Sequence, residues 1–161
     1  MSESDAARAM LRHTVATLAY RAAKAVRGAP GSFASFRIAE TSRTPAQILT
    51  HMGDLFDWAL SIARGVEQWH NSEPLVWEKE VQRFFASLEA FDRYLASDEP
   101  LHAPFERLFQ GPVADALTHT GQLAMLRRAA GAPIRGENYF RAEIEAGRVA
   151  LAQAVARREF D

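Results

Sequence analysis

Three side chains in this sequence carry metal-ligand chemistry and are spaced so that helices could bring them together. His51 lies inside the apolar run ILTHMGDLFDWAL, and Asp115 and His119 stand four residues apart in ADALTHTGQLAMLRR. A helix turns about 100° per residue, so His51 falls beside Leu55, Trp58 and Ile62 and near Ile48, on or next to the buried stripe. In the second stretch the i, i+4 spacing stacks Asp115 and His119 on one face, and Gln122 joins them beside Leu123 and Leu126. Burying an acid, an imidazole and an amide without partners is costly. A divalent cation shared by His51, Asp115 and His119 satisfies them, and two imidazoles with a carboxylate suit zinc, nickel, iron or manganese. Three protein ligands leave a position open for water or substrate, as in a catalytic site rather than a closed structural one.

Each residue taken singly has a blander reading. A core histidine is commonly hydrogen-bonded to a neighbour, and an aspartate in the first turn of a helix is favoured by the helix dipole. It is the pairing of Asp115 with His119, plus a third inward group on another helix, that points to a shared ion. Other candidates are weaker. Glu67-x-x-His70 straddles a helix end and Glu99-x-x-His102 contains Pro100, so neither is expected to project into a core. His13 lies off the stripe of its helix and is expected in solvent. Asp54 could support the His51 ring, with an exposed acid as the simpler expectation.

The elements that must position these groups are helical. Leu11, Val15, Leu18, Ala22 and Ala25 recur at threes and fours across residues 4–27, with Ser4 or Asp5 as a cap. Gly28, Pro30 and Gly31 break this helix, and a loop carrying Phe33, Phe36 and Ile38 follows. Thr44-Pro45-Ala46-Gln47 spells a capping box with proline at the first helical position, and the second helix is expected to run to about Gly65. Ser72-Glu73-Pro74 is expected to open the third, whose positions Trp77, Val81, Phe84, Leu88, Phe91 and Leu95 form the most regular stripe. Past a turn-rich stretch and the short segment PFERLFQ, the fourth helix is expected from Pro112 to Ala130, stopped by Gly131 and Pro133. IRGENYF reads as an ordered loop, and the Ala-rich last twenty residues from Arg141 as a further helix. No strand or internal repeat is expected. Four amphipathic helices that bury their faces on each other make an all-α bundle, within a single domain of residues 1–161.

Composition narrows the chemistry further. With 19 basic and 20 acidic residues the net charge is −1, which offers no field for nucleic acid or an anionic membrane. Cysteine is absent, which removes disulfides, thiolate ligands and a cysteine nucleophile. The polar start MSESDAARAMLRHTV has no apolar signal core, and no long apolar run follows, so a cytoplasmic protein is expected.

The two strings that carry the candidate ligands, ILTHMGDLFDWAL and ALTHTGQLAMLRR, together with GAPIRGENYF, resemble the DinB-like (DinB/YfiT) superfamily of metal-binding four-helix bundles over roughly residues 5–145, leaving 146–161 as an extension. The resemblance implies an up-down-down-up bundle with a long crossover between helices two and three. It also implies a metal triad of one histidine from helix two and a His-x-x-x-His pair from the last bundle helix. This chain matches at His51 and His119 and has Asp115 at the first position of the pair, so the implied triad is two histidines and a carboxylate. Activities in that superfamily are of two types, transfer or isomerisation that uses a low-molecular-weight thiol, and metal-dependent hydrolysis.

The leading expectation is therefore a metal-dependent transferase or hydrolase acting on a small molecule. Gln122 would orient the bound group, Arg135 would meet a substrate carboxylate and Tyr139 would line the mouth, with ordinary loop anchoring as the alternative for the last two. No separate general base stands out; if one is needed, Glu137 or a metal-bound hydroxide would have to serve. The alternative is a non-catalytic metal-binding or stress-associated bundle acting as a homodimer through the aromatic surplus of Trp77, Phe84, Phe85 and Phe91. A plain bundle without metal is the third reading.

Overall fold

In the computed structural model, which describes residues 3–161, the apolar stripes become four long helices: α1 (Glu3–Val26), α2 (Pro45–Ala63), α3 (Trp77–Ala96) and α5 (Ala114–Ala129). A single helical turn, α4 (Phe105–Leu108), and a wide π turn over Phe109–Val113 lead directly into α5. Helix α2 packs against both α3 and α5, and α1 packs against the same two, so each long helix buries one face on two neighbours. The shared interior holds Leu11, Val15, Leu18, Ala22 and Ala25 of α1 and Phe84, Leu88, Phe91 and Leu95 of α3, all of them buried as their spacing predicts. Phe56 of α2 sits among these rings, with centroids 6.3 Å from Phe84 and 5.8 Å from Phe91. The protein is mostly helical, and among the described residues no helix is long and apolar enough to cross a membrane.

Local chemistry sets the helix ends. At α2 the Thr44 hydroxyl accepts from the Gln47 N–H at 3.2 Å, while the Gln47 side chain accepts from the Thr44 N–H at 2.9 Å. Two of the four orphan amides of the first turn are thereby used, and Pro45 has none to satisfy. The far end closes over Gly65, whose φ of +79° suits glycine, with Val66 N–H donating back to Ser61 O and Gly65 N–H to Ile62 O. Gly131 ends α5 in the same way at φ +77°.

Several expectations are corrected. Ser4 and Asp5 lie inside α1, which begins at Glu3. The third helix starts at Trp77, because Ser72 is drawn off to bond Asp54 and the buried Glu80 side chain reaches back to accept the Leu75 N–H at 2.9 Å. Pro112 sits within a continuous helical path rather than at its start. A proline in a helix interior lacks the N–H and crowds the carbonyl one turn back, and here the chain widens by one residue into the π turn. The residues from Arg141 form no helix beyond the 3₁₀ turn Tyr139–Arg141. Of that segment only Val149 is buried, with Ile144 packed partly on the core, so it has no apolar stripe to dock. It runs instead as an extended strap whose end, β2 (Glu159–Phe160), pairs antiparallel with β1 (Gly136–Glu137), a strand pair the sequence did not lead us to expect.

Two arginines, one partly and one fully buried, fasten the helices. Arg12 of α1 forks onto Asp92 of α3 at 3.0 and 3.1 Å. Arg127 of α5 is 6% exposed, and its guanidinium donates to the carbonyls of Ala25, Arg27, Gly28 and Ala132. Phe84, Phe85 and Phe91 are buried within the chain's own core, while Trp77 is partly buried at its edge.

Candidate metal centre

His51 occupies the middle of α2, its rotation set by the buried Ile48 and Leu55 on either side. Asp115 and His119 lie on α5 just past the π turn, whose extra residue re-phases the helix so that both face α2. The imidazoles of His51 and His119 meet edge to face with centroids 4.9 Å apart. Between them stands the Asp115 carboxylate, with Oδ2 3.3 Å from His51 Nε2 and Oδ1 3.4 Å from His119 Nε2. The side chains are 23%, 45% and 13% exposed for His51, Asp115 and His119, so the group is neither sealed nor splayed into solvent.

These separations suit a ligand set as well as the hydrogen bond between His51 and Asp115. The His51 Nε2···Asp115 Oδ2 contact is a long hydrogen bond at 3.3 Å, against about 2.7–3.2 Å for a well-formed one. Donors bound to one tetrahedral ion at roughly 2.0–2.2 Å stand about 3.4 Å from each other, and each histidine Nε2 has an Asp115 oxygen near that distance, Oδ2 for His51 and Oδ1 for His119. The three donor atoms all lie within 4.8 Å of one another. Two imidazole nitrogens and a carboxylate oxygen at this spacing fit a divalent ion.

The neighbours of the triad orient it. Gln122 Oε1 lies 2.7 Å from His119 Nδ1. An amide oxygen only accepts, so Nδ1 carries the proton and Nε2 presents its lone pair toward Asp115. Gln122, expected to orient a bound group, instead bonds the His119 ring. Over His51 lies Trp69, edge to face at 5.7 Å, backed by Trp58 at 5.8 Å from Trp69. Trp69 belongs to the segment 64–76, which crosses from α2 to α3 and is pinned at several points. Trp58 Nε1 donates to Glu67 at 3.2 Å, Gln68 N–H to Ser61 Oγ at 3.0 Å, and Ser72 gives both its N–H and its hydroxyl to Asp54 at 2.9 and 2.7 Å.

Asp54 is thus a buried anchor, where an exposed acid was expected. Burial alone would raise its pKa, but the hydrogen bonds from Ser72 and Arg83 outweigh that and hold the carboxyl below its usual range. His70, dismissed with its Glu67-x-x-His70 string as unable to point inward, places Nε2 3.1 Å from Asp54 and 3.3 Å from Asp57. Asp54, Asp57 and His70 thereby form a second group with ligand-like spacing. Arg83 already supplies its cation, bonding Asp54 and Asp57 through Nη2, so this cluster is a charge-compensated clasp for the segment 64–76. The sequence held a signal for it, two acids three apart on one side of α2, but the histidine that completes it lies in a stretch with no helical period.

The remaining candidates are engaged elsewhere. Arg135 reaches Asp161 at 3.2 Å and Glu159 at 3.5 Å. Tyr139 packs on Tyr20, with the Arg21 guanidinium 4.1 Å above its ring. Glu137 is buried, accepting from the Tyr20 hydroxyl at 2.7 Å and from Lys24 at 2.8 Å. Burial and then the Glu137 bond push the Tyr20 pKa up. For Lys24, burial opposes the charged form, yet the bonds to Glu137 and Glu159 prevail and raise it. This acid therefore locks the terminal strand to α1, and both its oxygens are committed. His13 is exposed on α1, as expected.

Beside His119 a cavity of about 410 Å³ opens between α2, α5 and the loop before α2, lined by Ile38, Arg43, Ile48, His119, Gln122 and Met125 among others. Compared with family models, curated proteins and solved structures, the chain matches none.

Proposed function

We propose that the protein is a metal-dependent enzyme of the DinB-like type, in which His51, Asp115 and His119 hold one divalent ion inside an up-down-down-up four-helix bundle, the segment 64–76 serving in the crossover between helices two and three. The observation that carries this reading is the convergence of His51, Asp115 and His119 from two helices, with one ligand atom from each lying within 4.8 Å of the others. A divalent ion there supplies positive charge and Lewis acidity that stabilise the anionic form of a thiol or a water, as thiol transfer and hydrolysis both require. The chain's own groups do the rest. Gln122 fixes the His119 tautomer, Trp69 shields the His51 edge from water, and the cavity beside His119 gives a small substrate access.

One observation favours the non-catalytic alternative. Arg135 is tied to the terminal strand, and Glu137 and Tyr139 are engaged with α1, which leaves no protein carboxylate outside the triad assigned as a general base. Elemental analysis of protein purified without chelator or affinity tag separates the readings. Near-stoichiometric metal that falls in Asp115→Ala and His119→Ala supports the site, and turnover of thiol-transfer or ester substrates that falls in parallel supports the enzyme. Stoichiometric but inert metal favours the non-catalytic bundle. Wild type that takes up no zinc, nickel or manganese on dialysis ends both.

A further inference from the structure

The cavity beside His119 has a chemical character of its own. Its walls are apolar where Ile38 of the loop, Ile48 of α2 and Met125 and Leu126 of α5 line it, and polar at Ser42, Arg43, His119 and Gln122. Two of these are unusually open, Met125 at 66% and Ile38 at 58% exposed, at positions where a bound molecule would cover them. At about 410 Å³ the space lies within the range of small-molecule sites. Of its lining residues Arg43 alone carries a full charge, and none is acidic. Among the described residues the Arg43 side chain makes no hydrogen bond or ion pair, as is also the case for other exposed arginines such as Arg93 and Arg128, so its donors are free to meet a ligand in the cavity it lines. The neighbouring Ser42 hydroxyl is occupied, donating to Ala39 O at 2.8 Å. A lone guanidinium facing an apolar slot matches a ligand with an anionic end and an apolar body, because its planar fork of donors suits a carboxylate.

We infer that this cavity binds a small organic carboxylate with an apolar aryl or alkyl body, Arg43 holding the carboxylate and Ile38, Ile48 and Met125 covering the body, which reaches toward His119. The inference deepens the proposed metal site by naming the class of molecule presented to it, and rests on that reading for its functional meaning. The carboxylate end is read by Arg43 and the opposite end faces the triad, so the reacting group of such a molecule lies away from its acid.

The test uses phenylbutyrate and its neutral counterpart phenylbutanol as probes, titrated by calorimetry into the full chain with and without zinc. Wild type is expected to bind the acid at least about tenfold more tightly than the alcohol, the worth of one charge-assisted contact. Arg43→Gln is expected to erase that preference while still binding the alcohol, and Met125→Ser to weaken both probes together. Both side chains are exposed, so the fold is not at stake and circular dichroism confirms it. Equal binding of acid and alcohol by wild type, or binding of neither, overturns the inference whatever the metal content. A preference that survives Arg43→Gln but vanishes when zinc is removed places the carboxylate on the ion, which overturns the inference and upholds the metal site. An Arg43-dependent preference in protein that takes up no zinc upholds the cavity and sinks the metal reading alone.

Discussion

Gln122 Oε1 stands 2.7 Å from Nδ1 of His119, on the side of the imidazole away from Asp115. That contact orients the ring and settles which nitrogen is a donor, so it governs how well His119 can serve as a ligand. Supporting bonds of this kind are typically worth 10–100-fold in metal affinity. Gln122→Ala is therefore expected to weaken zinc binding by about that factor without lowering the stoichiometry, as read by competition against a chromophoric chelator. Gln122→Glu, which keeps the acceptor, should restore the affinity. Unchanged affinity in the alanine variant would mean that the amide merely rests on the ring.

The Asp54 clasp makes an acid-sensitive hold on the segment that carries Trp69. Its folded-state pKa lies below the usual 3.8, because the Ser72 and Arg83 bonds outweigh the burial that opposes them. A lowered carboxyl pKa contributes stability that is present above the unfolded value and lost as pH falls through the folded one. Urea unfolding of wild type and Asp54→Asn between pH 3 and pH 6 should show the wild-type advantage greatest at the upper end and shrinking below about pH 4. A gap independent of pH would show that the ionised form is not what holds the segment.

The residues that were legible in sequence are those whose partners are close along the chain or repeat with a helical period. Thr44 and Gln47 form their box as spelled, and the α3 stripe from Val81 to Leu95 is buried in register. His51, Asp115, His119 and Gln122 were found for the same reason, since each shares a helix face with apolar neighbours. What escaped depends on long-range pairing. His70 meets Asp54 only because the segment 64–76 folds back along α2, and no periodicity marks that return. The residues after Arg141 have alanine's helix propensity but no stripe to bury, so their path follows contacts such as the 2.8 Å bond to Leu151 O from Arg27, just past the end of α1. Pro112 reads as a helix start because proline is common there, yet a π turn absorbs it.

Arg127 has no carboxylate partner among the described residues, and burial lowers its pKa. Its donors instead satisfy the carbonyls at the end of α1, which ties that end to α5. Arg127→Met keeps much of the volume but leaves several buried acceptors bare, at about 1–3 kcal/mol each where water cannot replace the bond. Chemical denaturation should show a loss of at least ~2 kcal/mol, against a change within about 0.5 kcal/mol for the exposed neighbour in Arg128→Ala.

Glu137 is the point at which the terminal strap is fastened, since Tyr20 and Lys24 of α1 both donate to it and Lys24 continues to Glu159 at 2.7 Å on the paired strand. Glu137→Gln keeps the shape but removes the charge that Lys24 meets inside the protein. The strap has few other buried contacts, so its release should be local: amide exchange across residues 145–161 rises while α2 and α3 stay protected. Zinc affinity should be unchanged, because none of the triad touches this latch. If Glu137→Gln lowered turnover while leaving exchange in the strap as it was, the acid would belong to the chemistry after all, and the latch reading would give way to a catalytic one.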